Sequence, residues 1–125
     1  MLADKAAMAT IAVKNLGTAK NFYGEVLRLK QSKDMGEEAA IYQSGTSTLV
    51  VYRSEFAGTN KATSATWGVG EDLEAIVQTL KQQGVPFEHY DMPGLTRQGD
   101  IHVAGDFKAA WFKDPDGNIL HINNQ

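Results

Sequence analysis

Three histidines and no cysteine set the limits of the side-chain chemistry open to this 125-residue chain. Without cysteine there is no disulfide, no thiolate metal site and no cysteine nucleophile. Histidine is then the side chain that changes charge near neutral pH. His121 is the most informative of the three. It lies in Ile119-Leu120-His121-Ile122, and strand alternation turns its imidazole to the face opposite Leu120 and Ile122. There it could serve as a general base or a ligand-orienting group. His89 stands beside Tyr90 in a short strand. His102 falls in a long loop, where a solvated side chain is expected.

The element that must position His121 is a hairpin. Asp114-Pro115-Asp116-Gly117 is a turn with a mechanism: Asp caps the backbone ahead of it, Pro pre-sets φ, and Gly accepts a positive φ at little cost. Alternating segments flank it, with Trp111 and Phe112 before and Ile119 to Ile122 after.

Upstream, Met8 to Lys14 alternates as a strand. Asn15 to Thr18 breaks it, with Thr18 as the expected N-cap of a short helix over Ala19 to Leu27. Strands are expected at about 29–35, 38–44 and 47–53, then a polar linker from Phe56 to Thr63. Ser64 to Val69 reads as a strand. Leu73, Ile76, Val77 and Leu80 follow at i, i+3, i+4, i+7, an amphipathic helix that Gly84 and Pro86 end. Val85 to Tyr90 returns as a strand, Asp91 to Gly105 is a loop, and the hairpin closes the chain.

The order strand, helix, three strands therefore occurs twice. Val13 corresponds to Val69 and Val50 to His121, the longer second half being accounted for by the 91–105 loop. The fold class is α+β: two βαβββ modules, at about 8–54 and 64–125 of a single domain, forming a curved mixed sheet.

The terminal W-F-K-D-P-D-G-N-I-L-H-I, the module repeat and the Phe22-Tyr23 pair of the first helix together resemble the vicinal oxygen chelate superfamily. That group includes glyoxalase I, extradiol dioxygenases, and fosfomycin- and bleomycin-resistance proteins. The resemblance covers about Met8 to Gln125. In the superfamily's metalloenzymes, four strand positions supply histidine and glutamate ligands to a divalent metal. The matching positions here are Met8, Ser64 (with Ala65 as the alternative), Val50 and His121, and His121 is the one good ligand among them. A catalytic metal normally needs about three protein ligands. The expectation is therefore no metal and no other cofactor.

What the resemblance leaves is a cup lined by Met8, Thr10, Val50, Tyr52, Ser64, Thr66, His121 and Asn123. Its mixed apolar and hydrogen-bonding character suits a flat, apolar or aromatic small-molecule ligand. The alternative is that these side chains fill the cup as a second small core. Arg97, in the long loop, is a candidate for an anionic ligand group, and Trp111 a candidate to stack on the ligand.

Three functions follow. One is a metal-free small-molecule-binding protein. The other is an enzyme (a lyase, isomerase or dioxygenase) with His121 as general base or with a displaced metal. A ligand-free structural or regulatory homodimer is a third. A homodimer is expected in each case, because open sheet edges need covering. The net charge of −3 and the absence of a basic run give no support to nucleic-acid binding. The hydrophobic share of 42% and charged share of 22% are those of a folded globular chain. No apolar stretch approaches a membrane span, and no signal segment is visible, so a cytoplasmic protein is expected.

Overall fold

The computed structural model describes residues 1–125. They divide into two compact units, Met1–Thr59 and Asn60–Gln125.

In the first unit, β1 (Ala9–Val13) is followed by α1 (Leu16–Lys20), which continues as a π-helical segment over Asn21–Val26. Strands β2 (Lys30–Asp34), β3 (Ala39–Ser44) and β4 (Ser47–Arg53) complete a four-stranded sheet of order β1-β4-β3-β2. Strand β1 runs parallel to β4, and the other pairs are antiparallel. One face buries Ile11, Val13, Tyr42, Leu49 and Val51, together with Leu16, Ala19, Phe22 and Tyr23 of the helix. The Phe22 and Tyr23 rings meet edge to face at 5.1 Å, which explains the aromatic pair as packing.

The helix start corrects the expectation at Thr18. Asn15 is the N-cap, its side-chain oxygen accepting from the Thr18 backbone N–H at 2.9 Å, so the helix begins three residues earlier than Ala19.

In the second unit, β5 (Thr63–Gly68) leads through a single 3-10 turn into α2 (Leu73–Gln82). Leu73, Val77 and Leu80 are buried, as their spacing predicts. Gly84, at φ +81, ends the helix, and the Val85 N–H reaches back to the Leu80 carbonyl at 3.0 Å. Then come β6 (Phe87–Glu88), β7 (Thr96–Gln98), β8 (Ile101–Ala104), β9 (Phe107–Lys113) and β10 (Ile119–Asn123). The sheet order is β5-β10-β9-β8-β7, with β6 also paired to β9.

The 91–105 segment is thus not a plain loop. It holds the β7–β8 hairpin, and β8 and β6 both pair with β9, β6 being only Phe87–Glu88 of the strand expected over Val85 to Tyr90.

The internal pairing repeats between units. Thr10 is the register partner of Val50, as Thr66 is of His121, and Ala12 pairs with Tyr52 as Gly68 does with Asn123. The architecture is α+β, with the parallel first-to-last strand pairing recurring in both halves.

The turn behaves as its residues require. Asp114 is buried, and its Oδ1 accepts from the N–H groups of Asp116 (3.0 Å) and Asn118 (2.8 Å). Its Oδ2 accepts from Asn118 Nδ2 at 2.8 Å, and Gly117 takes φ +90. The D-P-D-G-N motif is structural: it sets the register of β9 on β10.

Candidate functional site

Register places His121 of β10 directly opposite Trp111 of β9, with Thr66 of β5 on its other side. Paired residues project to the same side of a sheet. The face opposite α2 therefore carries Thr66, His121, Asn123 and Trp111 together. The Trp111 and His121 rings lie 4.5 Å apart at 33°. Of the two adjacent aromatics in β9, Phe112 is buried and packs against Phe87 at 5.7 Å, so Trp111 is the one on the His121 face.

His121 is 9% exposed. Asn123 Nδ2 lies 3.2 Å from its Nε2. With the amide donating, Nε2 carries no proton and Nδ1 does. Nδ1 is buried and has no hydrogen-bond partner. Burial lowers the imidazole's pKa, against a smaller opposing pull from the Ala110 carbonyl, and a nearby His102 charge would lower it further. The ring is neutral at pH 7.

His102 corrects the expectation of a solvated side chain. It sits in β8, is 0% exposed, and its Nε2 accepts from the Tyr90 N–H at 2.9 Å. Its ring meets Trp111 edge-on at 4.9 Å and 88°. Burial lowers its pKa as well. Nothing local in Ile101-His102-Val103 signalled this, because the burial comes from the β8–β9 pairing.

Arg97 is in β7, opposite His102, and is exposed. Its guanidinium donates to the Gly99 carbonyl at 2.9 Å, a bond within its own hairpin. Ser64 is the extra residue of a bulge, since Ile119 pairs with Thr63 and Leu120 with Ala65. In the first unit, Thr10 and Val50 are register neighbours and Tyr52 follows on the same face. Met8 lies outside β1 and is 53% exposed, its carbonyl accepting from Thr10 Oγ1 at 3.4 Å. Thr10 is exposed, Val50 half-buried and Tyr52 39% exposed.

The residues do not suit a divalent metal. No three histidine, aspartate or glutamate side chains gather in a geometry that could hold one. His121 has one nitrogen engaged by Asn123 and the other buried.

One carboxylate partner for histidine occurs away from this face. Asp100 accepts from Lys81 at 2.9 Å and from His89 Nε2 at 2.7 Å, its side chain 14% exposed. These contacts tie the β7–β8 turn to the end of α2.

This fold and this sequence define a class. The sequence model of the Glyoxalase/Bleomycin resistance protein/Dioxygenase superfamily matches residues 5–122, and the chain belongs to that family. Solved structures agree on the fold. A glyoxalase family protein from Enterococcus faecalis superposes at TM-score 0.73 with 21% identity, covering 98% of this chain and 99% of that one. The fosfomycin resistance protein FosX from Listeria monocytogenes gives 0.73 at 11% identity, over 96% and 92%. Lactoylglutathione lyase from Agrobacterium tumefaciens gives 0.71 at 13%, also over 96% and 92%. No curated protein matches the chain. No helix is long and apolar enough to cross a membrane.

Proposed function

We propose that this protein binds a small, flat, apolar or aromatic molecule without a metal, on the sheet face that carries Trp111 and His121. The observation that carries the reading is the stacked Trp111–His121 pair, with Thr66 and Asn123 beside it. A neutral imidazole against an indole offers an aromatic surface, and the threonine hydroxyl and asparagine amide can orient a ligand on it. In the first unit, Thr10, Val50 and Tyr52 give a face of the same mixed character. Arg97 has guanidinium N–H groups beyond the one that bonds Gly99, and these could meet an anionic ligand group.

The enzyme reading, with His121 as general base, needs a free nitrogen and an acid partner. The engaged Nε2 and buried Nδ1 weigh against it. Strands β1 and β5 each have a sheet partner on one side only, which supports a homodimer as part of the proposal. The cytoplasm is its proposed location.

The test has two arms. The first is elemental analysis of chelator-free protein after dialysis against nickel, zinc, manganese and iron in turn. The expectation is far less than one ion per chain. One ion per chain would overturn the metal-free reading and move the search to lyase, isomerase and dioxygenase substrates. The second is a calorimetric titration with 1-naphthol, with binding weakened about tenfold by Trp111→Leu or His121→Ala. No change in either variant would remove this face from the reading.

A further inference from the structure

We propose that His102 is a positioning residue for the Trp111–His121 face: it accepts the Tyr90 N–H, stands edge-on to Trp111, and so fixes the indole on which His121 stacks. The inference rests on the binding reading for its consequence, though not for its geometry.

A fully buried imidazole needs a reason. Its space could be filled by phenylalanine or leucine with no polar atom to satisfy, and a buried polar group costs free energy unless it is hydrogen-bonded. Here Nδ1 makes no hydrogen bond of good geometry, and the Ala109 and Asp100 backbone acceptors offset only part of the cost of burial. Packing alone therefore favours an apolar residue at this position. What the imidazole adds is the other nitrogen. Nε2 receives the Tyr90 N–H at 2.9 Å, which requires the neutral ring with its proton on Nδ1.

That bond acts on the face through two contacts. Tyr90 lies beyond the end of β6, where ladder pairing no longer fixes the backbone. Held there, its ring meets Trp111 edge to face at 5.3 Å and 78°. The His102 ring meets the same indole at 4.9 Å and 88°. Trp111 is thus braced by two rings set nearly at right angles to it. Its tilted stack on His121, at 4.5 Å, is what remains for the ligand face. The β7–β8 hairpin, an addition to the second half of the repeat, is what delivers His102 to this place.

The experiment uses the whole chain and two substitutions. His102→Gln keeps an acceptor at about the reach of Nε2, whereas His102→Phe keeps a ring and removes the acceptor. Nuclear magnetic resonance reads the Tyr90 amide, the Trp111 indole N–H and the His121 ring protons, and a 1-naphthol titration reads binding. The expectation is that His102→Phe moves all three sets of signals and weakens 1-naphthol about tenfold, and that His102→Gln restores both. A space-filling role predicts the reverse order, with Phe tolerated and Gln not, and that result would overturn the proposal. Should His102→Phe not fold, the nitrogen shifts of His102 in the unaltered protein decide. A proton on Nε2 sinks the idea, and a bare Nε2 coupled to the Tyr90 amide supports it. If the resonances behave as expected but the unaltered protein fails to bind 1-naphthol, the binding reading falls and the positioning role stands.

Discussion

Trp111 and His121 face each other across the β9–β10 ladder, and their rings stack 4.5 Å apart at 33°. The contact lies in the hairpin whose turn is locked by Asp114, so the backbone sets the two residues opposite each other and the Tyr90 and His102 rings brace the indole from its edges. A double-mutant cycle with Trp111→Leu and His121→Leu should return a coupling of about 0.5–1.5 kcal/mol, the range for aromatic pairs. Chemical denaturation of the four proteins measures it. A coupling indistinguishable from zero would mean that the rings are neighbours without mutual stabilisation.

The two buried histidines make stability depend on pH in a defined direction. Burial lowers the pKa of both His102 and His121 below the ordinary 6.5. The unfolded chain therefore takes up protons near 6.5 while the folded one does not. Stability is full above that pH and falls as the pH drops through about 6.5 toward the folded values. The slope is about 1.4 kcal/mol per pH unit for each histidine still neutral in the folded state. Thermal melts from pH 8 to 5.5 should show the decline, and His121→Gln should remove its share. A melting temperature that rises on acidification would contradict the assignment.

Asp114 offers the sharpest local test. Its carboxylate accepts three hydrogen bonds from a buried position, two from backbone N–H groups and one from the Asn118 side chain. Asp114→Ala should cost about 3 kcal/mol, since several buried donors lose their acceptor at once. Asp114→Asn, which keeps one oxygen, should cost clearly less. Equal losses would show that shape rather than acceptance holds the turn.

What was legible in the sequence follows how local each cause is. The turn, the apolar spacing of α2 and the strand runs at 38–44 and 47–53 are written in adjacent residues, and the structure places β3 and β4 within a residue of them. The module repeat was legible too, because the equivalence of Val50 with His121 survives as equivalent register. Asn15 was missed because two residues capable of capping lie three apart, and only backbone geometry selects between them. His102 was missed for a different reason. Its burial is created by pairing with β9, and a Gly- and Pro-containing segment hides the β7–β8 hairpin from periodicity. At the candidate site, Thr66, Trp111, His121 and Asn123 do share a face, while Arg97 is bound within its own hairpin and Met8 lies outside its strand.

Arg28 holds φ +60, the one non-glycine residue in the left-handed region. It follows the π-helical segment, where the Leu27 N–H bonds the Phe22 carbonyl at 2.9 Å and the Leu29 N–H bonds Tyr23 at 3.0 Å. A helix end of this kind favours glycine, and a side chain there costs about 1–2 kcal/mol. Part of the relief is offset by the entropy of a more flexible unfolded chain. Arg28→Gly should therefore stabilise by about 0.5–1 kcal/mol, read as a shift in denaturation midpoint. A loss of stability would mean that the arginine side chain makes a compensating contact.

The brace at Asp100 controls the hairpin that carries both Arg97 and His102. Hydrogen bonds from His89 and Lys81 hold its carboxyl below the usual aspartate value of 3.8, against a burial that pushes the other way. A lowered carboxylate pKa stabilises the fold above 3.8, and the contribution disappears as the pH falls through the folded value. At neutral pH the brace is intact. Asp100→Asn keeps the size and removes the charge, leaving Lys81 and His89 with a weaker acceptor, at a cost of about 1–2 kcal/mol. Because the hairpin forms one edge of its sheet, the loss should appear first as local opening rather than as global unfolding. Hydrogen exchange should quicken over residues 96–104 and leave the amides of α2 little changed. Uniform loss of protection across the second unit would show instead that Asp100 supports the whole unit, and that the β7–β8 hairpin does not open on its own.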